Sequence, residues 1–305
     1  MDHICVAICT YRRARLLDAC LESLINQTIP ESTALSIVVI DNDVEASARE
    51  IFERRRANGK LTLHYHIEER RGIPIARNRA LDEALRLNTD WLAFIDDDEQ
   101  AHPDWIERLY FFALKYPPQT VVHGRVVPIF PEATPRHLRE TFYNGRIRSS
   151  GTEIKRCATD NVFFPLGMIS DLKLRFDETY PLAGGTDSAF FHEATRKGAR
   201  IFECAEAVVY ETILPERLRL RWLLARKFRT GITVGDRRRR EKRGRLVLVA
   251  SGSAKALLHA LAGALCSAAF MRTAGNRQLM KAARNTGIAA GAIGMRVDSY
   301  AKIDG

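Results

Sequence analysis

Short apolar runs rich in β-branched residues, Ile4 to Ile8, Leu35 to Ile40, Leu61 to His66 and Trp91 to Ile95, alternate with longer segments of helical period. No other feature of the 305-residue chain limits its fold as tightly. Strand, crossover helix and strand in succession is how neighbouring parallel strands are connected. A helix from about Arg13 to Asn26 puts Leu16, Leu17, Cys20, Leu21 and Leu24 on one stripe, and further helices are expected near residues 45 to 57 and 75 to 87. The expectation is an α/β fold, a mostly parallel sheet flanked by helices.

In such sheets ligands bind beyond the carboxyl ends of the strands. There the runs give way to polar residues: Cys9-Thr10-Tyr11-Arg12 after the first, Asp41-Asn42-Asp43 after the second, Asp96-Asp97-Asp98-Glu99 after the fourth. These ends suggest a nucleotide site. Asp41 can accept a hydrogen bond from a pyrimidine N–H, and Arg12 or Arg77 can pair with phosphate oxygens. The acidic turn carries most weight, because clustered carboxylates repel one another unless a cation is present. Oxygen ligands suit Mg²⁺ or Mn²⁺, which can bridge a diphosphate and neutralise the charge on a leaving nucleotide. Asp and Glu also favour the first turn of a helix, and one is expected to start near Pro103.

The second half is less regular. A strand is expected near residues 120 to 128, then Pro-rich turns at 128 to 135 and an apolar stretch from Val162 to Met168. Gly184-Gly185 precedes a helix from about Asp187 to Lys197, and strands follow near 200 to 203 and 206 to 210. The six cysteines form no C-x-x-C pair, which argues against a disulfide framework or a zinc site. Met1-Asp2-His3-Ile4 runs straight into a strand without a basic start and long apolar stretch, so the catalytic part is expected in the cytosol.

In their order and spacing these segments resemble the large second family of inverting glycosyltransferases, whose sheet domain is the GT-A fold. Cys9-Thr10-Tyr11-Arg12 is similar to that family's opening turn, and Asp41-Asn42-Asp43 to its nucleobase-contacting acidic turn. Gly72-Ile73-Pro74-Ile75-Ala76-Arg77-Asn78 is similar to its G-x-x-x-A-R-N segment, and Asp96 with Asp98 to its D-x-D. The likeness covers roughly residues 3 to 230. Within the family it is nearest to bacterial exopolysaccharide glucosyltransferases of the succinoglycan type.

The resemblance implies transfer of a hexose from a UDP-sugar, with inversion, onto a lipid-linked or glycan acceptor in cell-surface polysaccharide synthesis. Mg²⁺ or Mn²⁺ is the implied cofactor. The matching positions imply a donor site of Thr10, Tyr11, Arg12, Asp41, Asp43, Gly72, Arg77, Asn78, Asp96 and Asp97. Asp96 and Asp98 become metal ligands, with Glu211, after the strand Ala207 to Tyr210, as a further one.

Displacement at an anomeric carbon needs a base beside the acceptor hydroxyl, and a carboxylate opening a helix behind a flexible turn is well placed. Gly184-Gly185-Thr186-Asp187 is similar to the family's Glu-Asp motif, which makes Asp187 the base. Thr186 stands where the family often has Glu, and Ala189 where a second Asp is common. Asn161, in Thr159-Asp160-Asn161-Val162-Phe163-Phe164, resembles the segment lining the donor-sugar and acceptor side; Thr186 and Trp222 complete the expected acceptor contacts. Arg221-Trp222 resembles the Arg-Trp of processive synthases, but Leu218 replaces their Gln, so processive synthesis is not expected.

Charge is unevenly spread over this +10 chain. Residues 212 to 305 hold 20 Lys/Arg against 5 Asp/Glu, a net +15, while residues 1 to 211 hold 27 against 32. A basic run from Arg237 to Arg245 precedes the apolar stretch Leu246 to Met271, which Ser251, Gly252, Ser253, Lys255 and His259 interrupt. The uninterrupted pieces fall short of the roughly 20 apolar residues a spanning helix wants. The tail is therefore expected to lie at an anionic membrane surface, placing the protein peripherally on the cytoplasmic face of the inner membrane. The expected division is a catalytic domain at 1–215, its donor half about 1–100 and its acceptor half about 101–215, and a basic helical tail at 216–305.

Two rival readings are weaker. A nucleotidyltransferase would want a Gly-rich phosphate loop with Lys or Arg near its start, for which Arg12 and Arg13 are the nearest match. A nucleic-acid binder would need aromatic residues among its basic ones, and Trp222 and Phe228 stand at one end of the run.

Overall fold

The computed structural model describes residues 1–57, 59, 61–143, 147–179, 181–182, 185–240 and 244–295. Gly184 of the glycine turn, and Glu241, Lys242 and Arg243 of the basic run, lie outside the described residues.

The alternating half consists of β1 (Asp2–Thr10), α1 (Ala14–Ile25), β2 (Thr33–Asp41), α2 (Arg49–Arg56), β3 (Thr62–Ile67), α3 (Ile73–Arg86) and β4 (Trp91–Phe94). There follow β5 (Glu99–Ala101), α4 (Trp105–Ala113), β6 (Thr120–Ile129), α5 (Arg136–Phe142), β7 (Glu153–Ile154), β8 (Val162–Pro165), α6 (Gly167–Asp171), α7 (Thr186–Arg196) and β9 (Arg200–Thr212). Three long helices come last, α8 (Leu220–Arg240), α9 (Arg245–Ala268) and α10 (Arg272–Ala292).

Among the described residues the strands form one sheet in the order β3-β2-β1-β4-β8-β6-β9-β5, with β7 also on β9. β1 runs parallel to β2 and β4, and β2 parallel to β3. β8 is antiparallel to β4 and β6, and β9 is parallel to β6 but antiparallel to β5 and β7. The sheet is parallel from β3 through β4 and takes in short antiparallel pairs beyond it, while the long β6–β9 pair is again parallel.

Alternate residues of β1 feed opposite faces of the sheet. Ile4, Val6 and Ile8 pack with Leu17, Leu21 and Leu24 of α1 and with Trp105 of α4. Cys5 and Ala7 pack with Ala80 and Leu81 of α3 and with Phe190 and Phe191 of α7. Both faces are covered, so β1 and β2 read as continuous apolar runs and not as an alternating pattern.

Residues 200 to 212, expected as two strands, form one. Its register with β6 jumps from Gly124↔Cys204 to Arg125↔Val208, a bulge that lets the strand continue.

Two compact units account for the chain. One holds 1–129, 147–181 and 186–212; the other holds 130–146, 182–185 and 213–305. The second therefore takes in the turns and short helix that follow β6, which the sequence reading placed with the catalytic half. In it, α8 and α10 meet through glycines. A Cβ on Gly231 would sit 2.1 Å from the Arg284 carbonyl oxygen, and one on Gly287 2.1 Å from that of Phe228. Gly235 and Gly291 repeat the arrangement one turn on. α9 lies on α10 through Gly252 and Gly263, and α5 joins α10 where Arg277 and Thr273 donate to Glu140.

Candidate active site

The acidic turn follows β4 in the middle of the sheet, and its four carboxyls have different surroundings. Asp97 is buried; its Oδ2 accepts from the Thr10 hydroxyl at 2.8 Å and its Oδ1 lies 3.1 Å from Arg13 Nη1. Asp98 lies 3.5 Å from the same nitrogen. Glu99 is buried and accepts from the Asp96 backbone N–H at 2.8 Å, closing the turn. Asp96 points outward, its side chain 46 % exposed, with Arg77 Nη2 3.7 Å from its Oδ1.

Desolvation of the turn, together with the charges of Asp98, Asp160 and Asp97, raises Asp96 above the usual carboxylate range against the pull of Arg77. Desolvation likewise raises Asp97 to about 6 against the pull of Arg13, and Glu99 lies well above the usual carboxylate range.

Oxygen-only donors of this kind fit a hard divalent cation. Among the described residues no three His, Cys, Asp or Glu side chains converge as a set, so Asp96, Asp98 and the expected third ligand Glu211 are not brought together. Glu211 sits opposite Glu99 in the β5–β9 pair, and the Thr212 N–H donates to the Asp98 carbonyl, so the end of β9 braces the turn.

Around the turn, β1 and β2 deliver the other donor-side residues. Arg12 makes a two-pronged contact with Asp43, Nε to Oδ2 at 2.8 Å and Nη2 to Oδ1 at 3.3 Å, which holds the Asp43 carboxyl below its ordinary range. Tyr11 has the guanidinium of Arg71 4.4 Å from its ring centroid and that of Arg12 at 5.3 Å. Gly72 takes φ +154°, and a Cβ there would lie 2.5 Å from Cβ of Pro181; its N–H donates to Asn42 Oδ1 at 2.7 Å.

Three expected ligand contacts are engaged inside the protein instead. Asp41 is wholly buried; it accepts from the Tyr65 hydroxyl, the Ala48 N–H and the Asp43 N–H, and burial raises its carboxyl. Asn78 is bonded to both backbone groups of Phe176 and to Glu178, tying α3 to the segment before the glycine turn. Asn161 has no exposed surface and a φ of 62°; it accepts from the Trp105 indole N–H and donates to the carbonyls of Arg125 and Ala207. A Cβ on Gly124 would collide with it, so Asn161 fills the gap opened by the β6–β9 bulge. The physical reason is common to all three: their hydrogen-bonding groups already have partners in the dry interior.

Thr186 and Asp187, both half-buried, open α7, and Asp187 Oδ1 accepts from the Ser188 N–H. Trp222 lies in the second unit on the first turn of α8, flanked by the guanidinium groups of Arg226 at 5.4 Å and Arg217 at 6.0 Å.

Sequence reasoning missed Arg13 and Asn42. Arg13, next to the expected phosphate-pairing Arg12, turns inward to the acidic turn. Asn42 staples the loops after β2 and before α3 through Glu68, Arg70 and Gly72. Its place between two aspartates was the available signal.

Comparison with known proteins agrees with this architecture. The chain is 32% identical over 302 residues to the succinoglycan biosynthesis protein ExoM of Rhizobium meliloti, covering 98% of this chain and 96% of that one. It is 34% identical over 147 residues to a glucosyl-dolichyl phosphate glucuronosyltransferase of Haloferax volcanii, 46% of this chain and 43% of that one. Among solved structures, S. aureus TarS 1-349 in complex with UDP aligns with a TM-score of 0.56 and 18% identity over 92% of this chain and 90% of that one. The same TarS segment in complex with UDP-GlcNAc gives 0.55 and 17% over 75% and 66%. These likenesses to TarS concern the fold, which is that of the GT-A glycosyltransferases. The model of glycosyl transferase family 2 matches residues 5–180, from the first strand to just short of the glycine turn that precedes Asp187, and the chain belongs to that family.

Proposed function

We propose that the chain moves a hexose from a UDP-sugar to a hydroxyl of a lipid-linked or glycan acceptor, with inversion at the anomeric carbon, in cell-surface polysaccharide synthesis. The observation that carries this is the acidic turn at the carboxyl end of β4 in the same unit as Asp187 at the head of α7. A UDP-bound fold neighbour supports the nucleotide, and relatives named for succinoglycan biosynthesis and for transfer to glucosyl-dolichyl phosphate support the acceptor class.

Asp96 and Asp98 would hold Mg²⁺ or Mn²⁺. Such an ion, when bound, neutralises charge on the leaving diphosphate. The protein supplies the rest. Arg13 keeps Asp97 and Asp98 in place, while Arg77 draws Asp96 towards α3. Tyr11, with the guanidinium groups of Arg71 and Arg12 near its ring, is the aromatic residue on the donor side. Asp187 takes the proton of the acceptor hydroxyl as it attacks, a role worth about 10²–10⁴-fold in rate. One base and a single displacement give inversion.

The second unit supports a peripheral membrane location. α9 is 24 residues long, about 36 Å, long and apolar enough to cross a bilayer by length and composition. It is held along α10, however, and α10 carries Arg277, Lys281 and Arg284, which a spanning pair would bury in hydrocarbon. Leu246, Val247, Leu257, Leu258, Leu261 and Leu265 are exposed on α9, beside the arginines that end α8. An apolar stripe with a basic flank fits an anionic lipid surface, with α9 lying in its plane.

Release of UDP from a panel of UDP-sugars, with Mg²⁺ or Mn²⁺ and membrane lipid extract, tests the reaction. Acceptor-dependent release should be lost in Asp98→Ala and in Asp187→Asn, with donor binding kept in Asp187→Asn. Release indifferent to Asp187 would move the base elsewhere and overturn the assignment.

A further inference from the structure

Phe176 stands between α6 and α7, outside the motifs described above, yet its buried ring meets three parts of the site. Phe190 of α7 stacks on it, with ring centroids 4.1 Å and planes 12° apart. Phe94 meets it in a T-shaped pair at 6.1 Å, and the Arg77 guanidinium lies 5.8 Å from its centroid. Phe94 ends β4 two residues before Asp96, and Arg77 is the cation beside Asp96. Phe190 follows Asp187 by three residues, about one turn of α7. One side chain therefore touches the strand leading into the acidic turn, the arginine paired with that turn, and the helix whose first turn holds Asp187.

The backbone of Phe176 is fixed as well as its ring. Its N–H donates to Asn78 Oδ1 at 2.9 Å, and its carbonyl accepts from Asn78 Nδ2 at 2.9 Å. Asn78 Nδ2 also donates to Glu178 Oε1 at 2.8 Å. Asn78 follows Arg77 in α3, so the segment that presents Arg77 to the acidic turn also sets the place of Phe176. A close-packed interior has little slack and passes a displacement on. With the Phe176 ring between them, a shift at the start of α3 reaches the head of α7.

We propose that Phe176 is a positioning residue for the base: fastened to α3 and stacked on Phe190, it sets how far Asp187 stands from the acidic turn. This rests on the assignment of Asp187 given above. Donor affinity depends on the acidic turn and its arginines, whereas proton removal from the acceptor depends on where α7 holds Asp187. A misplacement of about 1 Å costs on the order of 100-fold in rate, and leucine, which fills part of the ring's space, should cost about tenfold.

Steady-state transfer by Phe176→Leu, with Mg²⁺ present and kcat counted per UDP-binding molecule from calorimetric titration, tests it. The expected result is a kcat lowered about tenfold with donor KM and UDP affinity unchanged. Phe190→Leu thins the same contact from the α7 side and should show the same split, which keeps the test open if Phe176→Leu does not fold. A merely structural Phe176 would lower the urea midpoint and leave kcat per binding molecule at the wild-type value, or would weaken UDP as much as kcat; either result overturns the inference. Wild-type release in Asp187→Asn would instead defeat the base assignment itself.

Discussion

Replacing Asn161 with alanine would strip partners from the Trp105 indole N–H and from the carbonyls of Arg125 and Ala207, all around a site with no exposed surface. Each buried polar group left unpaired costs about 1–3 kcal/mol, so Asn161→Ala should lower unfolding stability by at least about 3 kcal/mol, visible as a shifted urea midpoint. A ligand contact would instead change substrate affinity with stability intact. His123 supplies a pH signature. Burial alone would lower its pKa, but the carboxylates of Asp160 and Glu203 push it up to about 9 from an ordinary 6.5. The folded pKa being raised, the stabilisation is fully present below pH 6.5 and is lost as pH rises through 9. Melting temperature should fall between pH 6.5 and 9.5 by less in His123→Gln than in wild type. At this scale the sequence showed which residue types cluster, as with Asp96 to Glu99. It did not show which would find internal partners, because Asp41, Asn78 and Asn161 meet groups 24, 98 and 56 residues away in the chain.

Among the elements, α8 and α10 allow the sharpest test. Glycine to alanine in a helix interior normally gains about 1 kcal/mol of propensity. At Gly231 and Gly287 the added carbon would sit 2.1 Å from a carbonyl oxygen of the facing helix, where backbone and not a flexible side chain must yield. Gly231→Ala and Gly287→Ala should therefore destabilise the second unit, by about 1–3 kcal/mol net, in denaturant unfolding of the full chain. A stabilised variant would mean the helices are farther apart. β1 to β4 and α1 to α3 were legible because strand and helix periods alternate there without interruption. The glycine contacts were not, since Gly-x-x-x-Gly in a polar helix gives no sign of its partner. The bulge that joins residues 200 to 212 into one strand escaped for a related reason: it depends on Asn161, about 40 residues upstream.

For the molecule as a whole, the charge asymmetry sets the expected behaviour at surfaces. A net +15 over residues 212 to 305 should draw the protein to vesicles containing phosphatidylglycerol at low salt. Each Lys or Arg near such a surface contributes about 1 kcal/mol, and the attraction fades with ionic strength. Co-sedimentation should fall as NaCl is raised, and Leu258→Asp with Leu261→Asp should abolish what remains at high salt; retention on purely zwitterionic vesicles regardless of salt would refute the lipid reading. β9 has a different bearing, on how the enzyme comes into being. It pairs with β5, β6 and β7, and its last residues brace the acidic turn through Glu99 and the Asp98 carbonyl. On the ribosome, where chains fold as they emerge, the turn at 96–99 is made early but cannot be braced until residues some 110 positions later have left the exit tunnel. Until then the nascent chain carries an acidic turn without its final geometry, and a transcript cut short before β9 yields no half-competent enzyme to consume donor.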